Sequence, residues 1–92
     1  MTASDMLATA KIALRITTNA YDTELTAHLN SALMDLGIAG VTIPDSLDDL
    51  VQQACLTYVK CKFGTPDNYD RLKASYDEQK AQLQMATGYT EW

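Results

Sequence analysis

Apolar residues along this chain recur at three- and four-residue intervals, and no run of strict alternation marks a strand that pairs with another. The spacing predicts four helices and an all-α fold. The first helix covers residues 4–14, with Ser4 as N-cap, Asp5 in the electropositive first turn, and Met6 or Leu7, Ala10 and Leu14 along one side. Thr17, Thr18 and Asn19 end it. Asn19, with Asp22 three positions on, starts a second helix whose Leu25, Leu29, Ala32, Leu33 and Leu36 share a face, and Gly37 is its expected stop.

Residues 38–43 are short, β-branched or glycine, and Pro44 closes the stretch, which reads as a short apolar loop between helices two and three. Leaving Ile38, Val41 and Ile43 in water would be costly, so this loop is expected to be covered. Ser46 with Asp49 resembles a capping box opening a third helix, with Leu47, Leu50, Val51, Ala54 and Tyr58 inward and an end at Phe63 and Gly64. Thr65, Pro66 and Asp67 then form a cap, an N1 proline and a first-turn acid, which makes the joint to helix four a tight turn. In that helix Tyr69, Leu72, Tyr76 and Leu83 face inward. Beside them Asp70, Lys73, Asp77 and Lys80 form a solvated ladder of weak pairs. After Met85 the pattern fades into a short C-terminal tail, residues 86–92, carrying Tyr89 and Trp92.

A length of 92 residues with 47% hydrophobic side chains gives one small domain over residues 1–92, its tail included. The stability margin of so short a chain is slender, and partners are expected to add to it. Twelve acids against seven bases leave a net charge of −5. That balance repels phosphate backbones and excludes tight non-specific nucleic-acid binding. The longest stretches free of charged residues are ten residues, such as residues 50–59. A membrane-spanning helix needs about 20, so no membrane partner is expected. The first residues lack the basic and apolar regions of a secretory signal, and the expected compartment is the cytoplasm. Cys55 and Cys61, six apart on one helix, point to different faces and read as free thiols.

The inventory of reactive groups is thin. One histidine and no Cys-x-x-Cys leave no metal site, and His28, four residues after Glu24, reads as a border residue paired along the helix. Asp45, Asp48 and Asp49 lack the glycine and bidentate glutamate of a calcium loop, and helix-start electrostatics account for them. Tyr69-x-x-x-Lys73 and Tyr76-x-x-x-Lys80 match a dehydrogenase spacing that amphipathic helices produce by chance, and no glycine-rich nucleotide loop accompanies them. Neither cysteine has a local base, and adjacent Asp77 and Glu78 diverge. The chain reads as no enzyme, with no cofactor and no small-molecule substrate. Tyr89 and Trp92 stand out instead, because large amphipathic rings in a polar tail either fold back or dock on a partner.

Two stretches together are distinctive: Lys11-Ile12-Ala13-Leu14-Arg15-Ile16 before an acid-started helix, and Tyr58-Val59-Lys60-Cys61-Lys62-Phe63-Gly64 followed by a proline-started helix of alternating charge through Lys80. In this order they resemble the small head-to-tail connector (adaptor) proteins of long-tailed double-stranded DNA phages and prophages, also called DNA-packaging proteins. The likeness runs from the first helix to Leu83. Many members have a denser acidic run before helix two, where this chain has only Asp22 and Glu24.

The resemblance implies a virion structural subunit in a homo-oligomeric ring, usually twelvefold, beneath the portal protein. Such a ring extends the channel for genomic DNA, without binding it specifically, and gives a downstream connector, stopper or tail protein its platform. The implied location is the host bacterial cytoplasm during assembly and then the virion neck. Within that frame Tyr89 and Trp92 are expected to grip the portal, Ile38, Val41 and Ile43 to form half of a ring interface, and Asp45, Asp48 and Asp49 or the helix-four ladder to face the lumen. A net acidic lining would let a polyanion slide. Two other readings compete: a small acidic, antitoxin-like regulator that masks a basic partner, and a helix-turn-helix DNA reader. The second is weakened because Lys60 and Lys62 stand only at the end of helix three.

Overall fold

The computed structural model describes residues 2–41, 43, 48–63 and 68–85, and these form four α-helices with no strand among them. α1 is Ala3–Ala13, α2 Asp22–Ile38, α3 Asp49–Lys62 and α4 Tyr69–Met85. No described helix is long and apolar enough to cross a membrane. The expected all-α class is thus observed, and the differences lie at the helix ends.

The N-cap of α1 lies two residues earlier than the pattern indicates: it is Thr2, not Ser4, and its backbone N–H donates to Asp5 Oδ2 at 2.8 Å. At the other end, Ile16 N–H donates to Lys11 O at 2.8 Å and Arg15 N–H to Ile12 O at 3.1 Å. This paired closure needs a left-handed residue just past the helix. Arg15 takes that place with φ of 58°, a conformation costing a non-glycine residue about 1 kcal/mol. Lys11, in the last turn, reaches across to α2, bonding Asn19 Oδ1 at 2.7 Å and Asp22 Oδ1 at 3.0 Å. Asn19 is therefore engaged by a lysine, and the N-cap of α2 is Tyr21.

Gly37 does not end α2. The helix continues through Ile38, and Gly40 at φ of 93° makes the same closure, with Val41 N–H donating to Leu36 O at 2.9 Å and Gly40 N–H to Gly37 O at 3.0 Å. This turn folds Val41 back against Leu36, and both side chains are buried. The N-cap of α3 is Asp48, whose Oδ1 accepts from Leu50 N–H at 3.0 Å and Val51 N–H at 3.1 Å. Pro44, Ser46 and Leu47, like Thr65, Pro66 and Asp67 of the expected tight turn, lie outside the described residues.

α3 packs against all three other helices. Its Val51, Ala54, Cys55 and Val59 join Met6 and Ala10 of α1, Leu25, Leu29, Ala32 and Leu36 of α2, and Tyr76 and Leu83 of α4 in one core. Leu50, expected inside, is 60% exposed, and Tyr69 is also on the surface. Each sits at the first turn of its helix, beyond the flank that the neighbouring helices cover. α4 buries only Tyr76 and Leu83.

Candidate interaction surface

α3 and α4 pack as neighbours, and two clefts border their contact. The two are set apart along the helix: Tyr58, Cys61 and Lys62 of the C-terminal half of α3 border one, and Leu50 and Gln53 near its N-terminus border the other. On α4, Tyr69, Lys73, Asp77 and Lys80 border the first cleft, and Gln79 and Gln82 the second.

The first cleft, about 230 Å³, reaches Asp35 of α2. Here the Tyr76 hydroxyl donates to Asp35 Oδ2 at 2.5 Å and Lys80 Nζ donates to the same oxygen at 3.2 Å. The Tyr76 hydrogen bond holds the Asp35 carboxyl below its ordinary range, with Lys80 helping and partial burial opposing. Burial, then the bond to Asp35, pushes the Tyr76 hydroxyl well above the ordinary tyrosine range. The rings of Tyr58 and Tyr76 meet edge to face at 5.2 Å, with Lys62 Nζ 5.5 Å from the Tyr58 centroid and Lys80 Nζ 5.2 Å from that of Tyr76. The mouth is thus walled by phenol rings and carries lysine ammonium groups.

Two of those three lysines have carboxylate partners. Lys80 pairs with Asp35, and Lys73 pairs with Asp77 at 3.0 Å. The ladder expected along α4 is therefore split, because the turn that buries Tyr76 swings Lys80 toward α2. Lys62 has a ring beneath it and no ion-pair partner among the described residues. Cys61, buried in the wall, has its thiol pushed up chiefly by burial, and Cys55 in the core is pushed up to about 12 by the same cause. Both are thiols, as their separation on α3 indicates. His28 lies 3.8 Å from Glu24 across one turn, the border position its spacing implies.

The second cleft, about 220 Å³, is bounded by Leu50, Gln53, Gln79, Gln82 and Leu83. Its rim carries the exposed Leu50, next to exposed Asp49.

The residues expected to act in assembly are dispersed. Ile38 is 80% exposed at the end of α2, one turn from Met34, which is also exposed. Val41 is in the chain's own core and Ile43 is half-buried against it, so the three apolar residues of the loop do not form one outward patch. The turn at Gly40 causes this by directing Val41 inward. Asp48 is committed to capping α3, whereas Asp49 is exposed. Asp45, Tyr89 and Trp92 lie outside the described residues. Asp35 was not singled out by sequence reasoning, and its only local signal is a lone acid in the apolar second half of α2.

Among known families, the one described as phage connector protein matches residues 6–90 of the chain. No curated protein and no solved structure matches the chain.

Proposed function

The chain belongs to the phage connector family, whose members are structural parts of the phage head-to-tail joint, and we propose that it works there as a ring-forming adaptor beneath the portal. The observation that carries this reading is the family match across residues 6–90, which takes in all of α2, α3 and α4. The ring extends the DNA channel and offers the next connector, stopper or tail protein a docking face. Its work is assembly, with no covalent chemistry.

Physical features support the parts of this proposal. A ring of identical subunits requires two different patches on each copy, and the two unlike clefts beside the α3–α4 contact supply candidates. Ile38 and Met34 add an exposed apolar contact on α2, which replaces the role expected of Val41. The lumen is lined by acids drawn from Asp45, Asp48, Asp49 and the α4 series, so that passing DNA meets few lysines or arginines able to displace its condensed counterions. Tyr89 and Trp92 supply aromatic anchors for the portal.

Electron microscopy of the purified protein mixed with its portal tests the proposal. A ring of added density coaxial with the portal is expected. Portal particles that stay bare at saturating protein would refute it.

A further inference from the structure

We propose that Asp49 and Leu50 of one copy seat in the lysine- and tyrosine-walled cleft of the next copy, with Lys62 receiving the carboxylate. This names the contact that closes the ring, and it rests on the ring reading above.

Three observations on different parts of the surface converge. Lys62 stands at the cleft mouth over the Tyr58 ring with no ion-pair partner among the described residues, while Lys73 and Lys80 are neutralised by Asp77 and Asp35. Among the described residues the cleft thus presents one cation without a salt bridge against aromatic walls, and its volume of about 230 Å³ suits a small side-chain cluster of mixed character. At the other end of α3, Asp49 and Leu50 are a charge and an exposed apolar side chain adjacent in sequence. The complementarity is double: carboxylate to ammonium, and leucine to tyrosine rings.

Placement agrees with chemistry. Asp49 opens α3 and Lys62 closes it, so the two patches are separated by the helix length, about 20 Å for 14 residues. One copy therefore cannot satisfy itself, and each added copy exposes a fresh acceptor. That is the condition for a head-to-tail contact, which makes a ring where the rotation between copies closes. On this assignment Asp49 leaves the set of lumen acids. Asp48 has no part in the contact, since its carboxylate caps α3.

Charge exchange in the full chain tests the pairing, with ring formation on the portal scored by electron microscopy and folding checked by circular dichroism. Lys62→Glu and Asp49→Lys are each expected to lower ring occupancy by about tenfold or more, the scale of a close charge pair across an interface. The double variant, Lys62→Glu with Asp49→Lys, is expected to restore it. Folded single variants that form rings as the parent does, or a double variant that stays defective, would overturn the pairing while leaving the ring reading in place. A parent protein that forms no ring would overturn both. Labelling of Cys61, which lines the cleft, gives an independent readout. Its rate is expected to fall on ring formation, and an unchanged rate would overturn the proposal.

Discussion

The Tyr76 hydroxyl of α4 and the Asp35 carboxylate of α2 lie 41 positions apart in sequence and 2.5 Å apart in space. Together with Lys80 on the same oxygen, and Gln84 Nε2 donating to Ala39 O at 2.8 Å, this bond ties α4 to α2 along one edge. α4 otherwise rests mainly on α3.

Replacing Tyr76 with phenylalanine keeps the buried ring and removes only that bond. The loss expected is about 1 kcal/mol, toward the low end for a charged acceptor because the Asp35 side chain is 38% exposed. Thermal denaturation reads this as a fall of about 4–8 °C for a chain of this size. An unchanged midpoint would mean that the hydroxyl adds nothing to stability.

The same bond sets a dependence on pH. The Asp35 carboxyl is held below its ordinary value of 3.8, so its contribution is complete above that value and disappears as pH falls through the lower folded one. Urea denaturation of the parent and of Asp35→Asn should differ at pH 7 and converge in strong acid. At the alkaline end, Tyr76 is held above its ordinary value of 10.0. The unfolded chain loses that proton first, and stability should decline as pH rises past 10.0.

Two glycines near the end of α2 should respond oppositely to alanine. A Cβ at Gly37 meets nothing within 4 Å, so Gly37→Ala is expected to stabilise the chain by about 0.5 kcal/mol through a less flexible unfolded state. Gly40, at φ of 93°, sits where a side chain is strained. There alanine should cost about 1 kcal/mol or more. Denaturant midpoints of the two variants on opposite sides of the parent are the expected result.

Thiol labelling should separate the two cysteines. Cys61 lines the first cleft and Cys55 is fully buried with its thiol pushed up to about 12. A disulfide reagent at pH 8 should modify Cys61 slowly but ahead of Cys55, which should react only as the chain unfolds. Mass spectrometry after partial labelling distinguishes the sites.

At the tail, replacing both Tyr89 and Trp92 with alanine should abolish co-assembly with the portal while leaving the helical spectrum intact. Retained binding would remove the anchoring role proposed for these rings.

Helix number and type were legible because apolar spacing in α2 and α3 is set by burial, and in α4 by the two buried positions Tyr76 and Leu83. The ends were not, because several residues compete for each cap. Asn19 looked like a cap until Lys11, eight positions earlier, claimed its side-chain oxygen. Gly37 and Gly40 were equally eligible as stops, and the choice of Gly40 lets Val41 pack on Leu36. The same choice buried one of three residues expected at an interface. Lys80 read as one rung of the α4 ladder, since a partner 45 positions away leaves no periodic trace.

Tyr76 and Leu83 are the only buried side chains in the 17 residues of α4, seven positions apart. α3, by contrast, buries seven side chains in 14 residues. Opening fluctuations should therefore begin at the two tips of α4, where amide hydrogens exchange fastest, and reach α3 only on global unfolding. Each subunit is in this sense a stiff axle carrying a lightly pinned rail, and the rail is the part with freedom to adjust its fit when a neighbour arrives.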